Sequence, residues 1–322
     1  MKNKLKILSF TVVLISTVSL ILSCTDGTPS VSNPPVNEPV PGNEPVLKPD
    51  TPSELVDKGD TYLNQSQWDN AIAEYTRAID LDPKQLEAYY GRGVAYNYKG
   101  QFDLAISDLS KAMELAPNQA ELYYERGRAY DSVGQYDLAV ADYSQAIELN
   151  PSMAKAYAGR GRVYGKLGKL NEAMLDLDTA LALDSNLYSA YLDRGAINVN
   201  TKQHDQAIAD LTAAIHLMDQ YDQSVIGREE AKAYLNRGLA YFATEYWESA
   251  LSDFSAAIKL DPNLDRAYFY RGYVNYIVKK KYDLALADFN KTLELTNDPE
   301  LSKIAEQFKQ STEQLLKATE GK

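Results

Sequence analysis

Few residues in this chain of 322 could carry out covalent or metal chemistry. It contains one cysteine, Cys24, and two histidines, His204 and His216. A metal site needs several such ligands close together, and nucleophilic catalysis needs a base beside the nucleophile. The sequence has no HExxH, CxxC or glycine-rich phosphate-loop motif. We therefore expect no enzyme activity, no metal and no cofactor.

A base and an acid recur instead, in seven copies at nearly constant spacing. The base directly precedes a glycine, and the acid follows sixteen residues later, or seventeen in the last copy. Such pairs predict ion pairs between packed helices, within a repeat or between neighbours, and arginine could bind bidentately. The bases are Lys58, Arg92, Arg126, Arg160, Arg194, Arg237 and Arg271, and the acids are Glu74, Asp108, Asp142, Asp176, Asp210, Asp253 and Asp288.

The glycines themselves define a repeat of 34 residues. They are Gly59, Gly93, Gly127, Gly161 and Gly195, then Gly238 after 43 residues and Gly272 after 34 more. An aromatic residue follows three positions later in five copies, and an alanine twelve positions later in six. Small residues at this period let two helices approach closely, while aromatic and aliphatic residues at helical spacing fill the space between them.

This frame resembles the tetratricopeptide repeat, with G-x2-Y, then A-x3-F, then a proline. The resemblance covers residues 52–298 and implies an all-α fold, an α-solenoid of about seven helix hairpins in a right-handed superhelix. One hairpin cannot bury its apolar face alone, so the units must stack. Nine extra residues near 219–231 could prolong a helix or form a loop. Residues 299–322 carry an apolar stripe that predicts a capping helix and tail.

The resemblance also implies that the first helix of each hairpin lines a concave groove. Aromatic residues with charged neighbours are typical of binding hot spots, although the aromatic residues could equally be packing residues. The predicted partner of this groove is a protein or peptide. The candidate groove residues are Glu87, Tyr90, Asn97, Glu121, Tyr124 and Asp131 toward the N-terminus, and Lys232, Arg266, Phe269 and Tyr273 toward the C-terminus.

Residues 1–23 have the pattern of a secretory signal peptide. Three lysines precede an uncharged apolar run over residues 7–22. The segment "ILSC" at residues 21–24 resembles the lipobox of bacterial lipoproteins, which implies cleavage before Cys24 and lipidation of its sulfur. Leu22 departs from the family pattern. An uncleaved membrane anchor with a free thiol is the alternative, because the run approaches spanning length.

Residues 24–51 separate this segment from the repeats. Residues 25–52 hold eight of the thirteen prolines, and proline-rich sequence without apolar periodicity predicts an extended tether. The chain has a formal net charge of −12. An acidic body repels phosphate backbones, so we expect no nucleic-acid partner.

Two functions remain open from the sequence. The first is a non-catalytic interaction or scaffold lipoprotein, held outside the cytoplasm of a bacterium by lipidated Cys24, whose groove binds an extended peptide or a partner helix. The second is a lipoprotein that captures a small molecule or glycan in the aromatic groove.

Overall fold

The computed structural model describes residues 50–220 and 223–320. The predicted signal peptide, Cys24 and nearly all of the predicted tether therefore lie outside the described residues. The compact unit begins at Thr51. Thr51 caps the first helix through a reciprocal bond with Glu54, and Pro52 occupies the first helical position, where its missing N–H is not needed.

The described residues form seven helical hairpins and a final helix. The helices are α1 (Pro52–Asn64), α2 (Trp68–Leu81), α3 (Leu86–Tyr98), α4 (Phe102–Leu115), α5 (Ala120–Ser132), α6 (Tyr136–Leu149), α7 (Ala154–Lys166), α8 (Leu170–Leu183), α9 (Tyr188–Asn200), α10 (His204–Met218), α11 (Gln223–Ala243), α12 (Trp247–Leu260), α13 (Asp265–Val274), α14 (Tyr282–Leu295) and α15 (Pro299–Glu320). This arrangement confirms the predicted all-α solenoid of hairpins with a final helix.

Each hairpin turns through a residue with positive φ, seven positions after the repeat glycine in the first six hairpins. Glycine fills this position three times, at Gly100, Gly134 and Gly168. The other hairpins place serine, lysine or glutamate there, with φ between 52° and 64°. A left-handed residue directly after a helix allows its last carbonyls to be bonded, which ends the helix and reverses the chain.

The repeat glycines and alanines sit where the two helices of a hairpin touch. A Cβ atom on Gly93 would lie 2.8 Å from Leu109 Cγ, and one on Gly195 would lie 2.7 Å from Leu211 Cγ. The repeat alanines on the second helices are fully buried. Small residues on both helices therefore set a close packing distance, and the larger apolar side chains fill the core around it.

The array curves toward its first helices. Successive first helices contact each other from α1 through α3, α5, α7 and α9 to α11, in addition to their contacts with the second helices. The second helices chiefly contact the first helices that flank them. Closer spacing along one side of a stack bends it toward that side. The first helices therefore form the concave surface, as the family resemblance implied.

The nine extra residues lengthen a helix. Helix α11 has 21 residues, whereas the first helices of the five preceding hairpins have 13 each. The additional turns precede the part of α11 that matches the other first helices. Of the two possibilities that the sequence left open, the longer helix is thus the one observed in the described residues.

The last hairpin absorbs a one-residue insertion in a π-helical turn. Residues Asn275–Lys279 form this turn directly after α13, and inserting one residue into an α-helix is what produces such a bulge. The turn explains why the acid of this repeat lies seventeen residues after its base. Helix α15 then packs against α14 and contributes Leu301 and Ala305 to the last core cluster.

Candidate functional site

The recurrent arginines and aspartates form bidentate ion pairs within their own repeats. Arg126 Nε lies 2.8 Å from Asp142 Oδ2, and Arg126 Nη2 lies 2.8 Å from Asp142 Oδ1. The predicted pairing is confirmed in all six arginine repeats, with N–O distances between 2.6 and 3.0 Å. The other five pairs are Arg92–Asp108, Arg160–Asp176, Arg194–Asp210, Arg237–Asp253 and Arg271–Asp288.

Each of these arginines also bonds to the second helix of the preceding repeat. Arg126 Nη1 donates to Ser110 Oγ at 3.0 Å, and Arg160 Nη1 donates to Ser144 Oγ at 3.0 Å. The sequence interpretation missed this third bond, although its signal is present two residues after each acid. The residues there are Thr76, Ser110, Ser144, Asp178, Thr212 and Ser255. The arginine therefore ties its own hairpin to the one before it.

Two further charged residues are bonded within the protein. Glu74, the acid of the first repeat, accepts a bond from Arg77 at 2.6 Å, and the predicted pairing of Glu74 with Lys58 stays a prediction. Arg128, which lies outside the recurrent slot, has Nη1 at 2.8 Å from Glu125 Oε2 and its guanidinium at 5.4 Å from the ring centre of Tyr98.

The concave surface of α3 and α5 carries the N-terminal candidate residues. Glu87 and Glu121 are exposed, while Tyr90 and Tyr124 are half-buried. Lys155 Nζ lies 4.4 Å from the centre of the Tyr124 ring and makes a cation–π contact with it. Burial raises the pKa of both tyrosines to about 12, so they are neutral hydrogen-bonding groups near pH 7.

Asn97 and Asp131 are buried and bonded internally, so they do not lie open in the groove. Asn97 Nδ2 donates to the Glu125 backbone oxygen at 2.9 Å and to Glu125 Oε2 at 3.3 Å. Asp131 accepts from Arg162 Nε at 2.9 Å and from Lys166 Nζ at 2.6 Å. Both residues therefore position other charged groups of the concave surface.

A chain of alternating charges runs along the concave surface from α5 to α9. Arg162 on α7 pairs with Asp131, and its Nη1 lies 4.0 Å from Asp193 Oδ2 on α9. Asp193 Oδ2 is buried and has no hydrogen-bond donor within the described part of the chain. Burial raises the pKa of Asp193 to about 6, even though Arg162, Lys166 and Lys232 act to lower it. Asp193 is therefore an acid whose charge is poorly compensated.

Of this charge chain, the sequence interpretation selected Asp131 but not Arg162 or Asp193. It considered positions six and three residues before each glycine and four residues after it, and Tyr273 directly after the last glycine. Arg128 and Arg162 directly follow their glycines, and Glu125 and Asp193 lie two residues before theirs. The available signal was the repetition of an arginine after the glycine in two consecutive repeats, where four of the others have Val94, Ala196, Leu239 and Tyr273.

The C-terminal candidates are placed differently from the prediction. Phe269 was expected in the groove, but it is 8% exposed, and its ring packs 6.0 Å from Phe289 and 6.2 Å from Phe308. Tyr273 meets the Phe308 ring edge-on at 5.1 Å. The reason is helix α15, whose apolar face covers both residues because the last repeat has no following repeat to cover it.

Lys232 and Arg266, the remaining C-terminal candidates, keep some exposure. Lys232 is exposed on α11, and Arg266 is half-buried with Nη2 at 3.9 Å from Asp298 Oδ2. The candidate site therefore lies on the first helices of the second to fifth repeats, α3 to α9, with Lys232 at its edge.

Within residues 50–220 and 223–320, histidine, cysteine, aspartate and glutamate side chains form no group of three that could hold a metal ion. Within the same ranges, no helix has both the length and the apolar character needed to cross a membrane.

Comparison with protein-family models identifies the repeats. A model described as "TPR repeat" matches residues 59–97, and models described as "Tetratricopeptide repeat" match residues 86–119, 120–153, 154–187 and 231–264. Together they cover about half of the chain. The comparison with curated protein sequences gave no match.

Solved structures share the fold at low sequence identity. A chain of the APC/C hetero-tetramer Cut9–Hcn1 is 19% identical with a TM-score of 0.67, and the alignment covers 79% of this chain and 48% of that one. A tetratricopeptide repeat protein from Parabacteroides merdae is 18% identical with a TM-score of 0.56, covering 81% of this chain and 98% of that one. The chain thus spans about half the length of the first of these relatives.

These structural matches support the fold alone. The family models supply the identity of the repeats, and their residues coincide with the hairpins formed by α1 to α8, α11 and α12. Proteins with such repeats generally mediate protein–protein interactions. The chain therefore belongs to the tetratricopeptide-repeat family.

Proposed function

We propose that this protein is a non-catalytic scaffold whose concave surface on α3 to α9 binds an extended segment or helix of a partner protein. The observation that carries this proposal is the concentration of charged and aromatic side chains there. Asn97 Oδ1 on α3 and Asp193 Oδ2 on α9 are buried without a hydrogen-bond partner in the described residues. Unmatched polar groups are costly to keep buried, so their presence at one surface favours a binding role.

The opposite sides of the hairpins have a different composition. The recurrent arginines form ion pairs with aspartates whose side chains are at most 9% exposed. Those groups are matched within the protein and need no partner. The concave surface is thus the better candidate for recognition, since its charges are only partly matched.

We further propose that the repeats act outside the cytoplasm, anchored to a bacterial cell membrane by lipid on Cys24. The support is the lysine-flanked apolar run followed by the lipobox-like "ILSC" and a proline-rich tether. Two or more acyl chains hold a protein at a membrane stably, whereas one chain is marginal.

Fractionation of cells that express the Cys24→Ser variant tests the anchor. We expect the variant to leave the membrane fraction or to keep its signal peptide, and the mature wild-type protein to carry the added mass of the lipid. A variant that stays in the membrane at the wild-type mass would contradict lipidation and favour an uncleaved anchor.

Partner capture with charge-reversed variants tests the binding surface. The Glu87→Lys, Glu121→Lys double variant changes two exposed concave residues, and Glu148→Lys changes an exposed residue on the second helix α6. We expect the double variant to lose a specific protein that the wild type and Glu148→Lys both retain. Equal capture by all three proteins would argue against the concave surface. Capture of no protein, with a small metabolite or sugar raising the melting temperature, would favour ligand capture instead.

A further inference from the structure

The concave charge chain is incomplete at one end, at Asp193. Asp131 is bonded by Arg162 and Lys166, while Asp193 has only the distant Arg162 Nη1 at 4.0 Å. Its side chain is 22% exposed, so part of the carboxylate remains reachable from the groove. The charges alternate up to this point, and the next group in the alternation would be a cation.

Most of the cations on this part of the concave surface have partners, and Lys232 is exposed. Arg128 pairs with Glu125, Lys155 lies over the Tyr124 ring, and Arg162 and Lys166 share Asp131. An anionic ligand would meet Lys232 or replace one of these contacts. A cationic ligand would instead supply a donor to the Asp193 carboxylate, whose Oδ2 has none within the described residues.

Farther from Asp193, the N-terminal part of the concave surface and the chain as a whole are acidic. Glu87 and Glu121 are exposed along the concave surface toward the N-terminus, and the chain has a net charge of −12. An acidic protein attracts a basic segment from a distance and raises its rate of association.

We propose that Asp193 binds the side chain of a lysine or arginine in the partner segment. This inference rests on the proposed function, because it names the chemistry of the segment that the concave surface holds. The bound cation would complete the series Asp131, Arg162, Asp193 and ligand.

The proposal makes binding depend on pH in a defined direction. The groups that face Asp193 are Arg162 and Lys166 from α7, Asp131 from α5 and Lys232 from α11. The pKa of Asp193 is about 6, so only about one tenth of it is charged at pH 5. Binding of a basic peptide should therefore be about tenfold weaker at pH 5 than at pH 7.5.

Selection from a library of displayed random dodecapeptides on the full-length protein tests the proposal. We expect the wild type to enrich peptides with lysine or arginine at one position. The Asp193→Asn variant should lose that enrichment, and Asp80→Asn, which changes an exposed aspartate on α2, should keep it. One selected peptide is then measured by calorimetry at both pH values, a readout that needs no variant.

The outcomes separate this inference from the proposed function. Selected peptides without a basic preference, or with an acidic one, would overturn the role of Asp193 and leave the concave surface as a binding site. Equal affinity at pH 5 and 7.5 would overturn it as well. If no peptide is enriched, both the inference and peptide binding by the groove are overturned.

Discussion

An arginine that is bonded three times differs from an ordinary surface ion pair in what its loss leaves behind. The aspartates of the six pairs are at most 9% exposed, while the arginines keep between 16% and 27% exposure. Removing the arginine leaves a buried carboxylate without its partner. The resulting loss of folding free energy is far larger than the net contribution of the intact pair. The pairs therefore specify the register between hairpins more than they add stability.

Replacement of one such arginine tests this interpretation. We expect Arg126→Ala to lower the free energy of unfolding by about 2–4 kcal/mol, because Asp142 is left buried without its two bonds. Lys111→Ala, which removes an exposed pair with Glu114, should leave the free energy of unfolding nearly unchanged. Denaturant titration measures both. A joint Arg126→Met, Asp142→Leu change that is as damaging as Arg126→Ala would contradict the explanation.

For Asp193, in contrast to Arg126, we expect that replacing the residue stabilises the protein. Its pKa is about 6 in the folded protein against an ordinary value of 3.8 for an aspartate, so the folded state binds the proton more tightly. The contribution of this proton to stability is complete below about pH 4 and is lost as the pH rises through about 6. Asp193→Asn should therefore stabilise the protein at pH 7.5 by about 1–3 kcal/mol.

Melting temperatures of the two proteins across pH 4 to 8 measure this effect. The difference between wild type and Asp193→Asn should shrink toward pH 4, where Asp193 is protonated. A variant that is less stable than wild type at pH 7.5 would show that Asp193 is a structural ion-pair partner. A variant that gains stability while losing peptide binding would fit a residue kept for function.

At the scale of helices, a tyrosine on a second helix packs against a glycine on the following first helix at two places in the array. Tyr75 and Tyr143 on second helices reach across the following first helix at Gly91 and Gly159. Tyr75 Oη bonds Asp60 at 2.6 Å, whereas Tyr143 Oη has no partner in the described residues. Where the second helix has Leu109 or Leu177 instead, the following position holds Glu125 or Asp193. The glycine therefore leaves room for a buried tyrosine ring, and a charged residue takes its position where the second helix has leucine.

Substitution of this glycine tests the pairing. A Cβ atom on Gly159 would lie 2.7 Å from Tyr143 Cζ, so Gly159→Ala should destabilise the protein by about 1–3 kcal/mol. Gly227→Ala in α11, where a Cβ atom meets nothing within 4 Å, should be neutral or stabilising, because alanine favours the helix. Adding Tyr143→Leu to Gly159→Ala should restore most of the loss. Denaturation curves that show equal loss in the single and double variants would refute the pairing.

The sequence predicted the hairpins well because their period is carried by small residues that the packing requires. The arginine–aspartate pairs were predictable for the same reason, since both members repeat in register. The concave charge chain was not, because the arginine at the position of Arg162 recurs in only two repeats and its contact with Asp193 depends on how neighbouring hairpins stack. The burial of Phe269 was not predictable either, because it depends on how the capping helix packs, and the repeat pattern does not specify that packing.

At the scale of the whole molecule, the array is stabilised by contacts between neighbours along one dimension. Each core cluster combines residues from adjacent helices, and the last one joins Phe269, Phe289 and Leu301 across α13, α14 and α15. Such an array can open from an end while its centre stays folded. The concave site on α3 to α9 lies away from the C-terminal end.

A change in the capping helix tests this independence. Phe308 contacts the rings of Phe269, Tyr273, Tyr276 and Phe289 at 5.1 to 6.2 Å. Phe308→Ala should cost about 2–4 kcal/mol locally, because it leaves a cavity in this cluster. Hydrogen exchange should then become faster in α13 to α15 and stay unchanged in α3 to α9. Faster exchange along the entire array would show one cooperative unit instead.

The central claim is that the concave surface, and not the second-helix side, holds a protein partner. Photo-crosslinking in living cells tests it most directly, with a benzophenone amino acid placed at Glu87 or Glu121 on the concave surface. Glu114 and Glu148, exposed on the second helices α4 and α6, serve as matched controls. We expect a discrete covalent adduct to one protein from each concave position and none from the controls. Adducts of equal intensity from all four positions, or from the controls alone, would contradict the account.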